Sequence, residues 1–65
     1  MKEELLNIIN GLPKDERAVI NLYYGINGVS AQHNIKAVAF LMKKSEKAIQ
    51  RLKRKALMEI RKKFI

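Results

Sequence analysis

Sixty-five residues make one small domain at most, with a core that buries only a modest share of its surface. There is no cysteine, which excludes disulfides and thiolate metal sites and fits a reducing cytoplasm. The formal charge is +8, and it is unevenly placed. Residues 1–34 carry three Lys/Arg against four Asp/Glu, a net of −1; residues 35–65 carry eleven against two, a net of +9. The chain therefore has a basic pole suited to a polyanion. No apolar run approaches membrane-spanning length and no signal-peptide pattern opens the sequence, so no membrane partner is expected.

The spacing of apolar residues predicts four helices, at 2–10, 14–24, 35–42 and 46–63. In the first, Leu5, Ile8 and Ile9 form a stripe with Leu6 beside it, and Asn10-Gly11 ends the helix. Pro13 stands at the start of the second, where its missing N–H is no loss. Asp15 and Glu16 fall in its first turn and complement the positive helix end. Val19, Leu22 and Tyr23 give it an apolar face, Gly25 closes it, and Ile26 folds back on it. Asn27 to His33 is a loop with a turn at Gly28. His33 is the lone histidine and has no cysteine or clustered carboxylates near it in sequence, so no metal is expected.

The last two helices form a helix-turn-helix over 35–63, with Lys43-Lys44-Ser45 as the turn. Asn34 and Ser45 are suited to cap the two helix starts. Ile35, Val38 and Met42 share one face, as do Ile49, Leu52, Ala56, Ile60 and Phe64. A single core is expected from Leu5, Ile9, Val19, Leu22, Tyr23, Ile35, Val38, Ile49, Leu52 and Ala56. The opposite face of the last helix carries Lys47, Arg51, Arg54, Lys55, Arg61 and Lys62. The fold class is all-α, one four-helix domain over 1–65. No carboxylate pair, nucleophile–base set or glycine-rich phosphate loop occurs, so no enzyme activity and no cofactor are expected.

The run Leu12-Pro13-x-x-Glu16-Arg17-x-Val19-Ile20-x-Leu22-x-Tyr24-Gly25-Ile26 resembles the opening of region 4 of sigma-70-type sigma factors. Asn34-Ile35-x-x-Val38-Ala39 stands where that family has Thr-Leu-x-x-Ile/Val-Gly. Ser45 stands at the Ser/Thr that opens its recognition helix. Ile49, Leu52, Lys55-Ala56-Leu57, Ile60 and Arg61 are similar to its closing tail. The likeness covers nearly the whole chain. It implies a transcription initiation module that binds an upstream, −35-like promoter element. It also implies docking on the β flap of core RNA polymerase through an apolar groove, in the cytoplasm of a bacterium, from a bacterial or phage gene. Two departures stand out. Lys43-Lys44 replaces the family's Gly/Asp-Val, and Glu46-Lys47-Ala48 with Gln50-Arg51 replaces its usual run of arginines and glutamate, so the base-reading set is reshuffled.

On this reading the last helix enters the major groove of duplex DNA. Lys47, Gln50, Arg51 and Arg54 face base edges, since Gln pairs with adenine and Arg with guanine through two bonds. Lys43, Lys44, Ser45, Lys55, Arg61 and Lys62 hold phosphates. Phe40, with Lys36 on the same side of its helix, belongs to a protein-partner surface. No site for a flipped base is visible, so promoter melting falls to a separate region-2-bearing polypeptide or to another part of a parent chain. Two alternatives remain open: an interaction module that binds polymerase or a partner sigma fragment with little base reading, and a basic amphipathic helix on an anionic membrane.

Overall fold

The chain folds as α1 (Lys2–Asn10), α2 (Lys14–Tyr24), α3 (Ile35–Met42) and α4 (Glu46–Phe64). The computed structural model describes residues 2–28 and 30–64, with the side chains of Lys2 and Phe64 left aside. The core role expected of Phe64 and the loop position of Val29 thus lie outside the described residues. All regular structure among the described residues is helical.

Each boundary has a local cause. The N–H of Gly11 donates back to the carbonyls of Asn7 and Ile8, both at 3.1 Å, and closes α1. The Arg17 guanidinium donates to the Asn10 carbonyl at 3.2 Å, which places a cation at the negative end of α1. Pro13 is the N-cap of α2 and supplies no side-chain bond. Gly25 ends α2 in the left-handed conformation, with φ 68°, and the N–H of Ile26 reaches the Asn21 carbonyl at 3.0 Å. A β-carbon at Gly25 would lie 2.8 Å from both the N and the Cβ of Ala31, so only glycine fits there without a shift. That close approach lets the loop return along α2. The N–H groups of Gln32 and His33 donate to the carbonyls of Leu22 and Tyr23 at 2.9 and 3.1 Å. The Asn27 amide bonds the side chains of Asn10 and Asn21, both at 3.1 Å, and ties the loop to α1 and α2.

The expectation of one core is corrected. The apolar side chains form two clusters along α4. Ile9, Leu12, Ile20 and Ala56 are buried in one, with Leu5, Ile26 and Ile60 packed around them. Val19, Val38, Ala39 and Ile49 are buried in the other, flanked by Leu22, Tyr23, Ile35, Met42 and Leu52. The reason is length. A helix of 19 residues spans about 28 Å, longer than one layer of side chains can cover. Its N-terminal half therefore packs against α2 and α3, and its C-terminal half against α1 and α2. Adjacent residues of α2 serve different clusters, because Val19 and Ile20 point about 100° apart around the helix.

Leu5, Leu22, Tyr23, Ile35 and Leu52 are only partly buried, whereas Leu12, Ile20 and Ala39 join the buried set. Glu16 is also buried, and its Oε1 has no hydrogen-bond partner. An unpaired buried acceptor costs about 1–3 kcal/mol. Its position in the first turn of α2 offsets part of that.

Candidate nucleic-acid interface

The helix-turn-helix is set by caps at both helix starts. Asn34 Oδ1 accepts from the N–H of Lys36 at 2.8 Å, and Ser45 Oγ accepts from the N–H of Ala48 at 3.1 Å. Between them α3 ends on Lys43, which adopts φ 57°. The N–H of Lys44 donates to the Ala39 carbonyl at 3.0 Å and that of Lys43 to the Phe40 carbonyl at 3.3 Å. This is the two-bond C-terminal motif in which glycine is preferred. A side chain in that conformation costs about 1–2 kcal/mol. Lys43→Gly is therefore expected to raise stability by about 1 kcal/mol, the remainder going to glycine's greater freedom in the unfolded chain. Urea unfolding followed by circular dichroism measures it, and a loss of stability would mean that the Lys43 side chain contributes packing.

Lys44 stands where the resembled family packs a valine. Here its Nζ lies 3.7 Å from Asp15 Oδ2, with both side chains partly solvated. Such a pair is worth under about 1 kcal/mol and yields readily to a phosphate. Ser45 keeps its hydroxyl proton free to donate, because Oγ accepts the cap bond.

Beyond the turn, Lys47, Gln50, Arg51 and Arg54 are all exposed on α4. Their spacing of three, four and seven residues places them on one face over about 10 Å. Lys55 and Lys62 are exposed on one flank of that face, and Arg61, also exposed, continues it two turns beyond Arg54. Arg61 lies about 22 Å along the helix from Glu46, beyond the roughly 12 Å width of a major groove. Lys36 and Phe40 are exposed on α3, apart from this set.

Two residues that sequence spacing passed over border the face. Lys53 lies half-buried with its Nζ 4.1 Å from the Tyr23 ring centroid, so its charge is turned onto an aromatic face. Tyr23 also meets Tyr24 edge-on at 4.8 Å and His33 at 6.2 Å. Leu57, exposed, joins Ile35, Gln50, Lys53 and Arg54 around a hollow of about 300 Å³. Only the placement of α2 and α3 against α4 reveals either role; an exposed leucine after Lys-Ala was the one sequence signal available.

A second concavity, of about 370 Å³, is lined by Leu5, Ile9, Ile20, Tyr24, Ile26, Leu57 and Ile60. It is apolar throughout apart from the Tyr24 hydroxyl and runs between α1, the end of α2 and the C-terminal half of α4. No group of three or more His, Cys, Asp or Glu side chains comes together among the described residues. No helix among them is long and apolar enough to cross a membrane.

A capped helix-turn-helix with cations along the free face of its second helix defines a DNA-binding module of transcription. The family model for sigma-70, region 4 matches residues 8–62, and the chain belongs to that family. The family consists of regulatory DNA-binding modules that act with RNA polymerase, and it is not a family of enzymes. No curated protein matches the chain, and no solved structure does.

Proposed function

We propose that the protein tethers RNA polymerase to an upstream, −35-like promoter element. Lys47, Gln50, Arg51 and Arg54 read base edges in the major groove; Lys43, Lys44, Ser45 and Lys55 hold phosphates on either side of it. Arg61 and Lys62 reach only the flanking backbone. The observation that carries this reading is the one-sided α4: its reading set is exposed together while Ile49 and Ala56 hold the other side at 0% exposure. The apolar groove of α1, α2 and α4 receives a helical element of the polymerase β flap. A second reading, a module that binds polymerase or a sigma fragment with little base reading, draws on that same groove and on the reshuffled base-reading positions.

Melting is a separate task. Unstacking bases costs a few kcal/mol per step and needs a site that receives them. Tyr23 and Tyr24 are engaged with each other, and Tyr23 lies beneath Lys53. We therefore assign melting to a region-2-bearing polypeptide or to another part of a parent chain. In vitro transcription from a linear, fully paired promoter tests this. Core polymerase with this chain alone is expected to give no specific transcript, and adding a region-2-bearing partner is expected to restore one. Specific transcripts from the first mixture would refute the division of labour.

A further inference from the structure

The eight residues of α3 contain a single polar side chain, Lys36. A helix apolar on every side belongs in a core with neighbours all round. Here α3 is packed on one side only. Val38 and Ala39 are buried and Ile35 and Met42 partly so, whereas Phe40 is 82% and Leu41 51% exposed. Ala37, Phe40 and Leu41 follow the i, i+3, i+4 spacing of a helix-packing seam, and they form the outer side. Lys43 and Lys44 follow at the C-terminal end of this seam, just past Met42. Lys36 precedes Phe40 by one turn on the same side.

We infer that the outer face of α3 is a docking site for an amphipathic helix of another protein, with an apolar stripe flanked by carboxylates. Ala37 is small enough for a second helix to approach closely there, and Phe40 and Leu41 provide the anchors. The acidic flanks follow from charge. Lys36, Lys43 and Lys44 surround the seam, α3 has no acidic residue, and the chain as a whole is at +8. Asp15 is the one carboxylate found against these lysines among the described residues, 3.7 Å from Lys44. A second copy is disfavoured by the same charges, since paired copies would set Lys36 and Lys44 against each other. The proposal shares Lys43 and Lys44 with the phosphate contacts of the promoter reading, but its anchors Phe40 and Leu41 lie outside both the α4 face and the apolar groove.

The probe is a fluorescein-labelled synthetic helix of 18 residues with a leucine stripe flanked by glutamates. Two control peptides carry the same stripe flanked by glutamines or lysines. Binding is followed by anisotropy and mapped by amide chemical shifts of the whole chain. The glutamate peptide is expected to move the amides of residues 36–44 and to bind at least tenfold more tightly than either control. Phe40→Ser should weaken it at least tenfold while leaving the circular dichroism spectrum and the affinity for duplex DNA unchanged. Shifts confined to α4 or the groove, equal binding by Phe40→Ser, or equal binding of the glutamine peptide would each overturn the proposal. Two further outcomes would also overturn it, by assigning the face to another occupant. One is a dimer in sedimentation equilibrium that Phe40→Ser disperses. The other is Phe40-dependent cosedimentation with phosphatidylglycerol vesicles.

Discussion

Ile49→Ala is expected to leave much of the protein unfolded at 37 °C. Ile49 is 0% exposed and lies with Val19, Val38 and Ala39 where α2, α3 and α4 meet. Truncating a buried isoleucine to alanine costs about 2–5 kcal/mol through lost transfer energy and the cavity left behind. A domain of 65 residues has roughly 3–10 kcal/mol to lose. The substitution therefore removes a large fraction of the total, and it strikes the contact that fixes α4 against α3. Leu52 looks like an equally good target by periodicity. It is only partly buried, so Leu52→Ala is expected to cost about 2 kcal/mol or less. Urea unfolding of the two variants, monitored at 222 nm, checks the order. A smaller loss for Ile49→Ala than for Leu52→Ala would refute the packing of α3 on α4.

The second large effect is on DNA binding. With about five phosphates neutralised, the affinity should fall with a log–log salt slope near −4 to −5. Between 50 and 200 mM salt that amounts to a loss of about 500-fold. Lys55→Ala should weaken binding to all duplexes alike and flatten the slope by about one unit. Arg51→Ala should instead reduce discrimination between sites by about 1–3 kcal/mol, the worth of a two-bond contact to a base. Fluorescence anisotropy with promoter and random duplexes separates the cases. Replacement of Lys43, Lys44, Lys55, Arg61 and Lys62 together should abolish the salt-sensitive component. Unchanged affinity in that variant would show that DNA is held elsewhere or not at all.

The number and bounds of the helices were legible in the sequence because their causes are local. Apolar residues recur every three or four positions, Asn34 and Ser45 bond N–H groups two and three residues on, and Gly25 supplies a positive φ where the chain turns. The basic face of α4 was legible for the same reason, since helical spacing alone puts Lys47, Arg51 and Arg54 opposite Ile49 and Ala56. The motif likeness from Leu12 to Arg61 was legible too, because it depends on residue order, and the family model matches 8–62.

What the tertiary structure decided involves residues far apart in the chain. The division of the core in two follows from where α1 and α3 lie along α4. The burial of Glu16 and of Leu12 depends on which helix covers them, and amphipathic spacing does not contain that information. Lys53 reads as one more cation until α2 brings Tyr23 beneath it at 4.1 Å. Lys43 reads as a plain phosphate ligand until the close of α3 puts it at φ 57°. The apolar composition of α3 was visible from the start, but not that one side of it would find no partner helix. Local spacing determines which faces a helix has. Which of them is covered depends on the neighbours that tertiary packing brings to it, and among the described residues α2 and α4 cover only the inner side of α3.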